Sequence, residues 1–593
     1  MHKEQRMPSK YSITRMLGIV TLASAMLTAG CGSSTVSPTI VPTSANPADL
    51  PSISVAAPDR TELPRYASLE LSVAMKAKYT NPYDLRQVSL DGLFTRPDGG
   101  QMKVPGFWDG EATWRVRFTP SQVGEWNYQL TVTDVRGVGL PYTGKFNVTA
   151  SDQHGWLQAG NWVDPTNSGH YLVYQDGTPF YGIGHCDALN ILWEGFNADT
   201  GVGLFDEMKK AGENYVVWWP LYSNSPISYS YDDYSLPSLK VIDMVVADAQ
   251  KKGIFLVFTI WDHPELRDDK HPGNWGTGNW LRNGFSKLGD LQSFFTSPEA
   301  WAWQENFYRY IIARWGYSPA IGMWQTVSEI NGTNAGNQTD SWHKQVNDYF
   351  VANDPYRHPT TASKSGGGRD IPWPEGHQVM DAPQVHIYDP LNNNPVGAAN
   401  VLAEWTATMW NEAEKPNWVG EFGTPGDEYY PELFHNSIWA ALGSGAAMTP
   451  AEWNSGGAWG VMTPAMLADL GRLADFILDW PLAQWNPVPL QISSRDPQVR
   501  GWGVAGRDGG LFWVQDFSME GKSMQEIRAY QVVKKGVELE VNGLPEGIYV
   551  IIPFDTWQGK NLATFEVACT AGRSCPIALP DFKADMAFKI ERK

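Results

Sequence analysis

The sequence predicts a multidomain protein in which a central (β/α)8 TIM barrel lies between two β-sandwich domains. The chain has 593 residues, which is too long for one hydrophobic core. Its middle alternates short apolar segments with amphipathic helical segments, the pattern of an α/β barrel. The flanking segments alternate apolar and polar residues between frequent turn signals, as sandwich strands do. These observations divide the chain into residues 1–31, 32–63, 64–150, 151–485 and 486–593.

Residues 1–31 have the composition of a signal peptide and are not expected to join the fold. An apolar run at 16–29 is too short to span a bilayer and follows four basic residues, Lys3, Arg6, Lys10 and Arg15. The run ends in Leu27-Thr-Ala-Gly-Cys31, which resembles a bacterial lipoprotein cleavage box, although Thr28 departs from it. The resemblance implies cleavage before Cys31 and lipid attachment to its thiol. We expect export to the cell envelope on this lipid anchor or, alternatively, ordinary secretion.

The next two segments predict a tether and a first sandwich. Residues 32–63 are rich in Ser, Thr and Pro with almost no charge before Asp49, as in flexible linkers. Residues 64–150 read as alternating strands without helices. Their motif Val104-Pro-Gly-Phe-Trp-Asp-Gly110 resembles part of an immunoglobulin-like module found ahead of bacterial glycosidase barrels. Such a module either binds glycan or packs against the next domain.

Residues 486–593 return to short alternating strands and predict the second sandwich. Cys569 and Cys575 flank a short turn in an exported domain, so we expect a disulfide between them. Cys186 has no evident partner and is expected to be a buried thiol. The run Pro553-Phe-Asp-Thr-Trp-Gln-Gly559 resembles a motif of sandwich domains that cap glycosidase barrels.

Residues 151–485 supply the strands and helices of the predicted barrel. Eight strands are expected, at 180–184, 215–219, 254–260, 321–329, 359–363, 384–388, 417–421 and 445–448. Seven helices are expected with them, at 204–211, 239–252, 298–315, 342–353, 399–414, 430–442 and 465–480.

Two acidic residues end strands of this barrel. Glu329 closes the fourth strand and Glu421 the seventh, so both are expected at the same mouth of the barrel. Paired carboxylates in such a position suit glycosidic cleavage: one protonates the departing oxygen, and the other attacks the anomeric carbon or activates water. A single strand-end Glu could equally be solvated or salt-bridged; the second acid favours catalysis.

This arrangement resembles clan A of the glycoside hydrolases, the retaining barrels that include the family-five cellulases. The resemblance implies that Glu329 is the acid/base and Glu421 the nucleophile. We expect a raised pKa for Glu329, and an ionised Glu421 that accepts a hydrogen bond from Tyr388 of the His386-Ile-Tyr388 motif. The resemblance also implies an aromatic floor after the eighth strand, for which Trp453 is the candidate.

One position departs from the clan pattern. Ser328 stands where the clan usually has an Asn that binds the sugar 2-hydroxyl, and Asn331 cannot be assumed to replace it because strand side chains alternate faces. The sugar and linkage are therefore left open. Further candidates for sugar binding or stacking are His185, Asp187, Trp219, Trp261 and His263, with Trp275, Trp280 and Trp324 as additional stacking candidates. Hydrogen bonding within the barrel rim, or burial in the core, is the competing interpretation.

Composition argues against several classes of function. The net charge of -19 disfavours nucleic acids and anionic membrane surfaces as partners. None of the 11 histidines forms a His-x-His pair, and we expect neither a metal nor another cofactor. The 28 Trp residues suit stacking on sugar rings. The sequence thus predicts a monomeric, retaining glycoside hydrolase, endo-acting on the β-glycosidic bonds of an extracellular polysaccharide. An exo-acting β-glycosidase on oligosaccharides and a non-catalytic surface glycan-binding lipoprotein are the alternatives.

Overall fold

The computed structural model of the chain describes residues 49–593 apart from 59, 188–190, 192–195, 198–200, 224–229, 272–276, 367–372, 389–393, 424–430 and 454–461. Cys31, most of the predicted linker and Trp275 therefore lie outside the described residues. Within the described ranges, no helix is long and apolar enough to cross a bilayer.

The N-terminal region consists of two sheets around one hydrophobic core. The first sheet contains, in spatial order, Ser52–Val55, Leu69–Lys76, Thr113–Phe118 and Phe107–Trp108. The second contains Glu62–Pro64, Tyr142–Thr149, Gly124–Asp134, Val88–Thr95 and Gln101–Pro105, with Gly137–Val138 paired to Gly124–Asp134. Buried residues of both sheets, such as Val116 and Trp126, share the core. Strands begin before the predicted boundary at 64 because the apolar Ile53, Val55 and Leu63 pack onto this core.

Two parallel sheets form the central region. The first contains, in spatial order, Gly184–Cys186, Tyr215–Trp218, Phe255–Asp262, Ile321–Ser328 and Thr360–Thr361. The second contains Ser365–Gly366, Gln384–Ile387 and Trp418–Phe422. Isolated parallel bridges join Phe422 to Glu452 and Gly182 to Met448. Of the strand predicted at 445–448, only Met448 forms a bridge, and Gly445 has a φ of 97° that lies outside the β region.

Helices of the predicted pattern accompany these strands, with ends within a few residues of the predicted ones: Gly203–Lys210, Leu236–Lys252, Pro298–Trp315, Thr339–Asn353, Ala398–Glu412, Pro431–Gly443 and Pro464–Ile477. Residues next to the helices explain where two of them begin or end. Ser297 caps the helix that begins at Pro298, and Gly253 ends another helix in the left-handed conformation. Shorter helices lie at Gly160–Val163, Pro220–Ser223, His263–Leu266, Trp280–Arg282, Gly284–Lys287, Leu291–Thr296, Ile330–Gly332, Gly336–Gln338, Pro374–Val379, Leu482–Trp485 and Met524–Ala529.

The central region also contains two short pairs of antiparallel strands. They are Leu157–Ala159 with Leu172–Tyr174 and Phe196–Asn197 with Gly201–Val202.

The C-terminal region again consists of two sheets. The larger contains, in spatial order, Val488–Pro489, Val499–Ala505, Gly509–Asp516, Asp585–Arg592, Gly547–Asp555 and Lys560–Asn561, with Phe565–Cys569 paired to Gly547–Asp555. The smaller contains Gln491–Ser494, Glu538–Asn542 and Cys575–Ala578. A Cys569–Cys575 disulfide joins a strand of one sheet to a strand of the other. Cys186 is a free, buried thiol.

The C-terminal sheets pack directly on helices of the central region. One hydrophobic cluster contains Trp439 and Phe476 from those helices together with Trp513 and Phe554 from the larger C-terminal sheet. This shared core fixes the junction between the two regions.

Candidate active site

Glu329 lies where the strand Ile321–Ser328 ends. Its φ of 53° is left-handed, so the backbone leaves the sheet direction at this residue and enters the short helix Ile330–Gly332. This conformation costs a residue with a Cβ roughly 1–2 kcal/mol. The neighbouring segment holds it in place, because the Glu329 N–H donates to Ser363 Oγ at 2.9 Å.

His386 connects the two predicted catalytic carboxylates. Its Nδ1 lies 2.8 Å from Glu329 Oε1 and 3.2 Å from Glu421 Oε2. One oxygen of each carboxylate and a ring nitrogen of His386 all lie within 4.8 Å of one another. The Tyr388 hydroxyl donates to Glu421 Oε2 at 2.5 Å. The parallel register pairs His386 with Glu421 on adjacent strands, and Glu329, His386 and Glu421 are all buried.

A second histidine contacts the other oxygen of Glu329. His263 Nε2 lies 3.4 Å from Glu329 Oε2, and Arg267 Nη1 contacts His263 Nδ1. A guanidinium can only donate, so Nδ1 accepts and the ring hydrogen is on Nε2, which faces the carboxylate. Burial and the Arg267 charge outweigh the charge of Glu329 and lower the pKa of His263 to about 4. Arg267 is itself fixed by Gly332, whose carbonyl oxygen accepts a hydrogen bond at 3.0 Å.

Burial and charge act in opposite directions on the three central groups. Burial lowers the pKa of His386, but the charge of Glu421 and the bond to Glu329 outweigh it and raise the pKa to about 10. Burial raises the pKa of Glu329, but contacts with His386 and His263 bring it below its ordinary value. Burial raises the pKa of Glu421, and with the charge of Glu329 it outweighs the effect of His386. The pKa of Glu329 is thus lowered where the sequence predicts a raised value, because two histidines contact this carboxylate.

Two predicted sugar ligands lie in the interior. His185 is fully buried, and its Nδ1 lies 2.5 Å from an oxygen of the buried Glu213. Asp187 is fully buried as well, and its Oδ1 accepts from the Ile191 N–H at 3.3 Å. Interior hydrogen bonds thus hold both side chains, and sugar contact by either residue stays a prediction.

The predicted stacking residues differ in how deeply they are buried. Trp261 is a core residue: it is 1% exposed, and its indole N–H donates to the Tyr308 hydroxyl at 2.9 Å. The same correction applies to two others that pack in this core, Trp280 and Trp324. Trp219 is buried against the half-buried Trp453, with ring centroids 5.3 Å apart. Trp453 is therefore the more accessible of this pair.

Ser328 and Asn331 flank the acid but differ in their contacts. Ser328 is buried and pairs in register with Asp262 of the neighbouring strand. Asn331 holds Ser365: its amide donates to the Ser365 carbonyl, and its Oδ1 accepts from the Ser365 N–H at 2.9 Å. Asn331 therefore fixes the next strand segment rather than taking the place of a sugar-binding Asn.

Sequence reasoning missed Arg267, Ser363 and Glu213. Arg267 follows His263 by four residues across the short helix His263–Leu266, so a His-Arg pair at that spacing was a usable signal. Ser363 ends the predicted fifth strand, where a hydroxyl could have been flagged. Nothing in the sequence links Glu213 to His185.

The same three central groups could in principle hold a cation, since they offer an imidazole nitrogen and carboxylate oxygens. His386 Nδ1, however, bonds both Glu329 and Glu421 directly, so an ion would have to replace those hydrogen bonds. The geometry therefore favours a group that shares protons.

Comparison with known proteins supports the fold. Residues 62–133 match the family described as Domain of unknown function (DUF5060). No curated protein sequence matches the chain. The structure is similar to a crystal structure from Bacteroides vulgatus ATCC 8482, described as a candidate glycoside hydrolase, with a TM-score of 0.61 and 19% identity over 90% of this chain and 100% of the other. At this identity the similarity shows a shared multidomain fold.

Two other solved structures superpose less well. An endo-1,4-β-mannanase from Rhizomucor miehei has a TM-score of 0.40 and 16% identity, over 54% of this chain and 99% of that one. A family 39 glycoside hydrolase from Bacteroides cellulosilyticus WH2 has a TM-score of 0.39 and 11% identity, over 91% and 100%. Neither of these two similarities carries an argument about this chain.

Proposed function

We propose that the protein is a glycoside hydrolase that cleaves β-glycosidic bonds with retention of configuration. The observation that carries this proposal is the buried pair Glu329 and Glu421, with oxygens within 4.8 Å of each other and of His386. Retaining glycosidases hold their carboxyl groups about 5–5.5 Å apart, whereas inverting enzymes need about 6.5–9.5 Å to admit a water. The short separation supports double displacement.

The proposal includes closure of the parallel strands into a (β/α)8 barrel of the clan A type, flanked by two β-sandwiches. Two bridges support closure: Phe422–Glu452 extends the second parallel sheet, and Gly182–Met448 leads back to the start of the first. In such a barrel the carboxyl ends of the strands meet at one face. Glu329 follows one strand and Glu421 lies within the last residues of another, as this arrangement requires.

The hydrogen bond between His386 and Glu329 gives the proposed acid its proton. In the hydrated site the proton lies on His386, since the pKa of His386 is raised and that of Glu329 is lowered. A bound sugar excludes water and disfavours the ion pair, so the proton moves from Nδ1 to Glu329 Oε1. Glu421 then attacks the anomeric carbon while Glu329 protonates the leaving oxygen. Water, deprotonated by Glu329, hydrolyses the glycosyl ester, and the proton returns to His386.

Sequence features support a proposed substrate class and cellular location. We propose an exported, lipid-anchored monomer that acts on the interior bonds of an extracellular polysaccharide. An exo-acting enzyme and a non-catalytic glycan-binding protein are the competing outcomes of the experiment below.

The test is hydrolysis of a panel of β-glucans, β-mannans and β-xylans by the full chain, with products sized over time. We expect at least one glycan to yield mixed oligosaccharides early, and Glu421→Ala to abolish this. Glu207→Gln, on an exposed helix position, is the matched control. Release of monosaccharide alone would show exo action. Binding without cleavage would contradict the enzymatic proposal.

A further inference from the structure

A cleft of about 600 Å³ lies where the C-terminal sheets meet the helix Pro431–Gly443. Its walls also include the short helix Met524–Ala529 and the segment that follows it. Glu329, His386 and Glu421 are not among the described residues that line it, so the cleft is separate from the candidate active site. Its volume lies within the roughly 300–1,000 Å³ typical of small-molecule sites.

Trp557, from the run 553–559 that resembles a capping motif, lines this cleft. Its ring stacks on His435 with centroids 3.9 Å apart, and its indole N–H donates to Asp585 Oδ2 at 2.6 Å. Trp557 nevertheless remains 36% exposed. One face of the indole and its N–H therefore contact His435 and Asp585, and the remaining surface of the ring borders the cleft. A platform fixed in this way loses little rotamer freedom when a ring stacks on it.

Three acidic side chains of the cleft accept hydrogen bonds from neighbouring protein groups. Asp516 accepts from the Tyr530 hydroxyl at 3.0 Å, and Glu432 accepts from Arg528 at 3.3 Å. Asp585 is bonded to His435 and Trp557. At Asp516 and Asp585, whose carboxylate oxygens all accept hydrogen bonds, a cationic ligand would have to displace these contacts. An anionic ligand would meet an excess of acidic over basic lining residues, namely Glu432, Asp516, Asp555, Asp581 and Asp585 against Arg528 and Lys583.

An uncharged ligand with a flat apolar face and many hydroxyl groups fits these constraints. The side-chain amide of Gln558 lines the cleft, and an amide group both donates to and accepts from hydroxyls. We propose that the cleft binds a neutral oligosaccharide, one ring of which stacks on Trp557. This site would hold a glycan chain independently of the chemistry proposed at Glu329 and Glu421.

The test is calorimetric titration of the full chain carrying Glu421→Gln with cellohexaose, mannohexaose, xylohexaose and laminarihexaose. We expect two sites per chain for at least one of these sugars. Trp557→Ala and Val533→Glu should each weaken one site at least tenfold. Val533 lines the cleft and is 44% exposed, so its substitution obstructs the site without touching the Asp585 hydrogen bonds. Val532→Glu is the matched control, since Val532 is 51% exposed but does not line the cleft.

The outcomes separate this inference from the proposed function. A single site that Val533→Glu removes would support the cleft and contradict sugar binding at the carboxylates. Absence of any site sensitive to both Trp557→Ala and Val533→Glu would overturn the inference. Binding of oligogalacturonate in the cleft, lost in Val533→Glu, would overturn its assignment to neutral sugars.

Discussion

Two buried histidines of this protein each lie between two carboxylates, yet they use their rings differently. In both cases the carboxylates outweigh burial, and the pKa is raised to about 10 at His386 and about 9 at His435. His435 uses both nitrogens: Nδ1 lies 2.9 Å from Asp469 Oδ2, and Nε2 lies 3.0 Å from Asp585 Oδ1. His386 contacts Glu329 and Glu421 through the same nitrogen, Nδ1. Its Nε2 forms no hydrogen bond with any described residue.

The carboxylates of the two clusters also differ in how many hydrogen bonds they accept. Asp585 also accepts from Trp513 at 3.0 Å, from Thr556 and from Trp557, so its lone pairs are filled by donors on both sides of the C-terminal junction. Glu421 is bonded to His386 and Tyr388 within the described part of the chain. A saturated network has one low-energy arrangement and stabilises structure, whereas an unsaturated one can still exchange protons. We interpret the His435 cluster as a domain clamp and the His386 cluster as a reactive site.

The largest expected effect is on catalysis. Glu421→Gln should lower kcat on the best glycan substrate on the order of 10⁴-fold, because it removes the proposed nucleophile. The melting temperature should change by only a few degrees, since the substitution removes a partly unsatisfied buried charge. Asp585→Asn should show the opposite pattern, with activity retained and stability reduced. A kcat loss of less than about tenfold in Glu421→Gln would exclude Glu421 from the chemistry.

The second effect is on stability. His435→Ala should lower the free energy of unfolding by about 3–5 kcal/mol, because it leaves Asp469 and Asp585 as uncompensated buried charges. Urea denaturation followed by Trp fluorescence measures this change. His154→Ala is the control, since the His154 side chain is 45% exposed in its pair with Asp176 and should contribute little. If His435→Ala and His154→Ala destabilise the protein equally, the clamp interpretation is wrong.

The third effect is the pH dependence of that stability. The folded-state pKa of His435, about 9, lies above the value of a free histidine, so its contribution is complete below about pH 6.5. It is lost as the pH rises through 9. Asp585 has a lowered pKa, so its contribution is present above about pH 3.9 and is lost as the pH falls further. The difference in unfolding free energy between wild type and His435→Gln should therefore shrink between pH 6 and pH 10. A difference that is constant over this interval would contradict the assigned charge.

The smallest effect concerns a positioning residue of the reactive site. Arg267→Lys should lower kcat roughly tenfold, because a lysine cannot hold His263 Nδ1 and the Gly332 carbonyl together. With less support from His263 the pKa of Glu329 should rise, and the basic limb of the pH–rate profile should move to higher pH. A purely structural role would change the melting temperature without moving that limb. Arg282→Lys, at an exposed position, is the matched control.

The sequence predicted most strands and helices of the central region, because the spacing of apolar residues depends directly on which side chains are buried. It also reached the proximity of Glu329 and Glu421, since parallel strands bring their carboxyl ends to one edge. It could not predict that Trp261 is buried in the core while Trp453 is half-buried, because both are Trp near predicted strand ends. It predicted a raised pKa for Glu329 where the structure lowers it, because that pKa depends on the contact between His263 and Arg267 and on how His386 divides its hydrogen bonds. These are tertiary properties.

The central claim is that Glu421 forms a covalent bond to the sugar. The direct measurement is mass spectrometry of the full chain after incubation with activated 2-deoxy-2-fluoro β-glucosides, β-mannosides and β-xylosides, followed by peptide mapping. We expect a mass increase of one fluorosugar on the peptide that contains Glu421, and none in Glu421→Gln. Active protein that forms no adduct and releases products of inverted anomeric configuration would contradict the account, as would an adduct on another residue.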